Sequence, residues 1–498
     1  MTMSKILNIF KLDYKYNIPN YFYLIIILIL GFFTVSIFYD IFQIHIYRHD
    51  SLYCMTQDNY LQKVSSEGRW LNYLLFPFLK SIYGGFWSVF VLISFSYFIF
   101  VASYRWTSNK LYSIIIALLF LQIPSFFDLI TWPATTAPAF FILLLSVYVA
   151  NRLPVYIFYS LFGILFFATM SNYYYLLPLL HLGILSKGNM KEQSKTFFLK
   201  ILPAWAIGFV VGYAFTQLVV YIWFGHLIEI ASWRNPHYIH SIPDLTHNFQ
   251  LSFHEFQWHI KDIFSNYFLL VFGILSFIIS FLGRKKETIL YSTAIFIAII
   301  IVHYIVVMPM GIAIAPRTIV ATWVGVFAIL FFIPSINPWK ILILSPIIVL
   351  FAYNLYIRNH HNLEWYATVT NTDYKMLKKV SANYPKTCKG VIVLSDNSEM
   401  HKKNQLISKY YNLTRDKYIE ELGASFRWSP IAKEVGFKIV GNCSHSNMSS
   451  LCKEIRTNIP IEKILQNDTA DFFSVIGEYK KFLILSFDNK KLIKELEK

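Results

Sequence analysis

Long apolar blocks separated by short polar stretches govern the first 357 residues, and a hydrophilic tail follows. The runs Tyr21–Tyr39, Trp87–Val101 and Tyr267–Leu282 are each long enough to cross or nearly cross a bilayer of roughly 30 Å. The pattern predicts eleven spans, at about 21–40, 86–104, 111–127, 134–150, 153–170, 173–186, 197–221, 266–283, 288–308, 318–334 and 340–357. The sixth is short enough for a re-entrant segment. Trp70–Tyr83 is amphipathic but too interrupted to cross, which predicts a helix in the interface plane. Tyr21–Tyr39 exceeds a signal-peptide core and lacks a small-residue cleavage site, so it reads as a retained first span.

Beyond residue 357 the period changes. Short β-rich runs, Gly390–Leu394 and Phe482–Phe487, alternate with helical patterns at Asp373–Tyr384 and Asn404–Tyr411. The expected fold class is a polytopic α-helical membrane protein of about 11 transmembrane helices over residues 1–357, with outer loops at about 41–85 and 222–265 and a C-terminal α/β domain over 358–498. No repeat of fixed period appears, and no low-complexity linker precedes the tail.

Composition narrows the function classes. Only 14% of residues are charged and 56% are apolar, with a mean hydropathy of +0.48; soluble domains carry about 25% charged residues. An ordinary soluble enzyme is excluded. The net charge of +16 does not indicate nucleic acid, because the basic residues sit between apolar spans rather than along one soluble face. With the N-terminus cytoplasmic, the inner ends and loops hold 14 Lys and Arg and the outer loops before residue 358 hold 7, as the positive-inside rule requires. An odd span count then places the tail outside. There Cys443 and Cys452 pair with each other, one of them pairs with Cys388, or all three remain thiols.

Candidate chemistry concentrates on the outer face. The inner loops are short, Lys-rich and without a glycine-rich phosphate cradle, which argues against a nucleotide-sugar or ATP site. The first outer loop holds Asp40, Asp50 and Asp58, then Glu67-Gly68-Arg69-Trp70. A carboxylate at the membrane surface can deprotonate a hydroxyl nucleophile, and Asp50 lies within ten residues of the expected end of span one. The alternative for each acid is a solvated loop residue. Arg69 has the planar fork that grips a phosphate.

The loop Phe224–Asn266 brings Arg234, His237 and further histidines among aromatic residues. No His-Glu-x-x-His spacing occurs, so the residues give a divalent metal no support. Aromatic rings beside polar partners suit sugar faces, and an interfacial aromatic belt explains many of them equally well. Arg317, after Pro316, opens span ten with no basic neighbour on its side; it either meets an anionic group such as a lipid-linked phosphate or snorkels to headgroups. Asp128 is the only charge of its short outer loop and either binds substrate or pairs with Arg317 or Arg69.

Together, Arg48-His49-Asp50, Glu67-Gly68-Arg69-Trp70, the lone Asp128, Pro316-Arg317 and the outward tail resemble polytopic GT-C-type glycosyltransferases. Within these, the likeness is to bacterial Gtr-type serotype-converting O-antigen glucosyltransferases, and it runs over most of the membrane part. The resemblance implies transfer of glucose or another hexose from undecaprenyl phosphate to O-antigen on the periplasmic face of the inner membrane, by an inverting displacement and without a cofactor. Family members commonly pair two aspartates in the first loop, whereas here His49 precedes Asp50, so Asp40, Asp50 and Asp58 all remain in view for the catalytic position. Two rivals stand beside it. An O-antigen polymerase would use arginine-rich outer loops and lack a tail of this size. A transporter or flippase of lipid-linked sugars would line a mid-bilayer path with polar residues, of which the spans carry few, His181, Gln217 and His303 among them.

Overall fold

The computed structural model describes residues 20–45, 57–184, 190–230, 234–281, 286–331, 338–383, 390–394, 397–414, 431–437, 439–442, 449–458, 473–479 and 482–487. The apolar runs are helical, as lipid demands of a chain that must satisfy its own backbone. Among the described residues, four helices are long and apolar enough to cross a membrane: Tyr21–Gln43, Gly84–Thr107, Ser194–Phe224 and Thr293–Met310. Shorter apolar helices, Trp70–Leu79, Lys110–Phe120, Pro133–Val149, Val155–Phe167 and Val320–Phe331, accompany them. Large side chains also point outward, Leu28 at 72% exposure and Phe32 at 66%, an arrangement suited to lipid and costly in water. The chain is a helical membrane protein.

Its contacts divide it into two compact units, one of Met1–Phe38, Gln57–Leu79 and Phe86–Asn359, the other of Tyr39–Thr56, Lys80–Gly85 and His360–Lys498. Within the first, the segment read as a short sixth span is a 14-residue 3₁₀ helix, Ser171–Ile184. At a rise of about 2.0 Å per residue it extends about 28 Å, farther than an α-helix of the same length. Pro178 inside it removes one backbone donor.

One close helix crossing in this unit is made by glycine. Val155–Phe167 packs on Leu202–Phe224 through Gly163, Gly208 and Gly212. A Cβ at Gly163 would overlap the Gly208 carbonyl, and one at Gly208 would overlap the Tyr159 carbonyl oxygen and the Tyr174 hydroxyl. Small residues allow such an approach where no hydrophobic force between helices operates. Gly208→Leu is therefore expected to separate the pair at a cost of about 3 kcal/mol or more, since overpacking against backbone has no soft neighbour to move. Thermal unfolding of detergent-purified protein tests it, with Gly31→Leu, where nothing lies within 4 Å, as the tolerated control.

In the second unit four strands form a sheet of order β2-β1-β4-β3, with β1 (Gly390–Val393), β2 (Ile439–Asn442), β3 (Phe473–Tyr479) and β4 (Phe482–Phe487). β1 is parallel to both β2 and β4, and β3 is antiparallel to β4. All four β1 residues are buried, which explains a strand with no polar alternation. The tail has no linker because one 46-residue helix, Pro338–Asn383, continues from the last apolar run into it. Lys403 of helix Asn397–Tyr410 forms a buried ion pair with Asp373 of that helix. Cys452 is disulfide-bonded, and the other three cysteines lie outside the described residues.

Candidate functional site

A single turn sets the site in the first unit. The polar helix Gln57–Glu67 ends at Gly68, whose φ of +74° is left-handed, and its N–H donates to the Val64 carbonyl at 2.9 Å. Helix Trp70–Leu79 starts two residues later. Only glycine takes that conformation freely, and here space also demands it: a Cβ would overlap Thr216 Cγ2 and stand 2.9 Å from Ile228 Cδ1. Glu67 and Arg69 are thereby held on opposite sides of one bend. The Leu71 N–H donates to the Ala168 carbonyl at 3.1 Å, which ties the bend to the C-terminal end of helix Val155–Phe167.

Around Glu67 four cations gather. Arg69 Nη2 lies 2.6 Å from its Oε2, and Arg234 Nη2 lies 3.7 Å from its Oε1. Burial on its own raises the Glu67 pKa, but Arg69, Lys63, Arg234 and Arg317 outweigh it and bring the group to about 2. Burial lowers Arg234, and Glu67 opposes that effect. The Trp132 ring joins two more members, with Lys63 Nζ 5.6 Å and Arg317 Cζ 5.7 Å from its centroid. These distances fit cation–π attraction. Glu67 is thus ionised. Helix Ser125–Ile130, which carries Asp128, packs on the Pro316–Thr318 turn, where Ser125 Oγ donates to the Pro316 carbonyl at 2.9 Å. The Asp128 side chain lies outside the described residues.

Buried polar atoms without a hydrogen-bond partner among the described residues accompany this cluster. They are Trp70 Nε1, Tyr173 Oη and Thr216 Oγ1, with Asn172 Nδ2 beside Tyr173. Tyr173 is near enough to Arg69 to feel its charge, and Thr216 meets the Gly68 bend. Buried donors are nearly always satisfied in a folded chain. A group of them beside clustered cationic side chains has the chemistry of a site for an anion that also bears hydroxyls.

The other expected residues fall elsewhere. Asp58 is exposed in the first turn of helix Gln57–Glu67, about 14 Å along its axis from Glu67. Asp50 lies outside the described residues. Asp40 is in the second unit, buried, with its Oδ2 2.7 Å from His360 Nδ1. His237 lies 3.1 Å from Asn248 Oδ1 and 3.5 Å from Asp244, and Asn248 Nδ2 donates to its carbonyl at 2.6 Å. Hydrogen bonds from Ser241 and then from the His240 N–H, with His237 nearby, lower the Asp244 carboxyl. His237 therefore positions the segment that carries Arg234, and left-handed Gly311 leaves room for its carbonyl.

Sequence reasoning missed Lys63, Trp132, Tyr173, Thr216 and His360. Lys63 stands four residues before Glu67, the spacing that puts side chains on one helical face, so that signal was present. Nothing along the chain ties Tyr173 to Arg69. The polar exceptions in the spans make local hydrogen bonds: His181 with Tyr159 at 3.0 Å, Gln217 with the Ile228 N–H at 2.8 Å and His303 with Thr318 at 3.3 Å. Among the described residues no group of three His, Cys, Asp or Glu is placed to hold a metal. Compared with protein families, with curated proteins and with solved structures, the chain matches none.

Proposed function

We propose that this protein is a membrane glycosyltransferase moving glucose or another hexose from a polyprenyl-phosphate carrier to a saccharide acceptor, O-antigen repeat units in a bacterium, on the periplasmic face of the inner membrane. The observation that carries the reading is the half-buried Glu67 ringed by Arg69, Arg234, Arg317 and Lys63. Guanidinium and ammonium groups converging on one point suit the phosphate of a lipid carrier, which accepts several charge-assisted hydrogen bonds at once.

In the proposed reaction the acceptor oxygen attacks C1 of the hexose, a base removes the hydroxyl proton, and the C1–O bond to phosphate breaks with inversion. Arg69, with Arg234 and Arg317, stabilises the departing phosphate, whose negative charge grows as that bond lengthens. Glu67 is ionised and engaged, so its part is to hold the guanidinium groups in place rather than to accept the proton. Asp50 is assigned as the base, because it lies within ten residues of the expected end of the first span, where the outer interface begins. The Trp70, Tyr173 and Thr216 donors offer hydrogen bonds to sugar hydroxyls or phosphate oxygens.

The test is hexose transfer by purified protein in nanodiscs from a polyprenyl-phosphate hexose to a saccharide acceptor. Asp50→Asn keeps the side-chain size and removes its basicity, so the rate is expected to fall by about 10² or more. Full activity in that variant together with its loss in Asp40→Asn or Asp58→Asn would move the assignment to that residue.

A further inference from the structure

Helix Ile242–Ile263 joins two strongly apolar helices, Leu202–Phe224 and Tyr267–Phe281, and its polarity is inverted. Ile242, Leu245, Phe249, Phe253, Phe256 and Ile260 recur every three or four residues and fall within about 80° of arc. A helix in water would bury that stripe. Here Ile242 is 80% exposed, Phe249 58% and Phe253 50%, and the last two rings stack on the outside with centroids 6.2 Å apart.

The edge turned into the protein is polar instead. Asn248, Ser252, His259 and Asp262 are buried. Asn248 holds the His237 segment, His259 Nδ1 lies 3.1 Å from the Tyr304 hydroxyl, and Asp262 is paired with Arg358 at 2.7 Å. Tyr304 lies in the last turn of helix Lys286–Val307, so the polar edge is fastened to the end of an apolar helix. A third edge, Thr246, Gln250, Gln257 and Lys261, is exposed and polar.

We infer that helix Ile242–Ile263 lies in the membrane interface plane with its Ile242-Leu245-Phe249-Phe253 stripe in lipid. One edge on protein, one apolar and one polar is the pattern of an interfacial helix. The stripe carries no charge, and large apolar side chains are exposed on the flanking helices too, Tyr221, Ile222 and Trp223 before it and Tyr267 and Phe268 after it. Lipid therefore covers these rings, and they are not a stacking platform for sugar. The inference stands apart from the proposed reaction.

The full chain in nanodiscs decides it. A fluorophore attached at Phe249→Cys, and separately at Gln257→Cys, is exposed to brominated lipids and to aqueous iodide, with the signal of labelled parent protein subtracted. At position 249 brominated lipid is expected to quench about twofold and iodide hardly at all, with the reverse at 257. Iodide quenching at 249 equal to that at 257 would overturn the inference. So would shielding of 249 from both quenchers, which would mean a protein cover such as a second copy. Ile242→Cys supplies a second stripe position if Phe249→Cys fails to fold.

Discussion

Arg69→Ala is expected to lower hexose transfer by about 10² to 10³, the loss that follows removal of one preorganised donor from a developing oxyanion. Lysine at this position keeps the charge but loses the fork that meets two phosphate oxygens at once. Arg69→Lys should therefore transfer measurably more slowly than wild type while inserting into the membrane normally. The same order, Arg above Lys above Ala, is expected at Arg317. There proline and the short Pro316–Thr318 turn fix the backbone, and the guanidinium lies against Trp132. A cation that merely reaches for headgroups predicts another outcome, with lysine fully tolerated. Initial rates of the two lysine and two alanine variants separate the possibilities.

Glu67→Gln should produce the largest change in stability. The amide cannot neutralise Arg69, Arg234, Lys63 and Arg317, and breaking a buried ion pair by removing one partner costs about 3 to 5 kcal/mol. Its pH dependence follows from the direction of the shift. Folding lowers the Glu67 carboxyl from 4.5 to about 2, so the ionised form is favoured in the native state. That contribution is complete above pH 4.5 and is lost as pH falls through about 2, and it corresponds to about 3 kcal/mol. Thermal unfolding of ligand-free wild type should lose stability over this window, and Glu67→Gln should lose less. An identical pH profile in both would mean that Glu67 does not anchor the cluster. Added lipid phosphate should stabilise Glu67→Gln more than wild type, because it replaces the missing anion.

The pattern of apolar runs disclosed the helical membrane class, because helices of this length and hydropathy leave few other ways to satisfy the backbone in lipid. Of the strands described, β1 and β4 were visible as apolar β-rich runs; β2 and β3 were not, since Ile439–Asn442 and Phe473–Tyr479 are mixed in polarity and become strands by pairing. The 46-residue helix was hidden because its apolar half reads as a span and its polar half as a separate soluble helix. At the site, the Glu67-Gly68-Arg69 bend could be read locally from one glycine between charges. Arg234 and Arg317, distant in sequence from that bend, join it only through tertiary structure. The aromatic loop shows the limit most clearly. Its helical stripe is present in the sequence, but which edge faces the protein depends on His259, Asp262 and their partners on other helices.

The central claim, that the cationic cluster holds the phosphate of a lipid-linked sugar, is tested most directly by binding. Purified wild type in nanodiscs is titrated with polyprenyl phosphate and with the polyprenol that lacks the phosphate, and Arg69→Ala is titrated in parallel. The account predicts saturable binding of the phosphate by wild type, at least about tenfold weaker binding of the polyprenol, and a comparable weakening for the phosphate in Arg69→Ala. Equal affinity for the two lipids, or undiminished phosphate binding by Arg69→Ala, would contradict it.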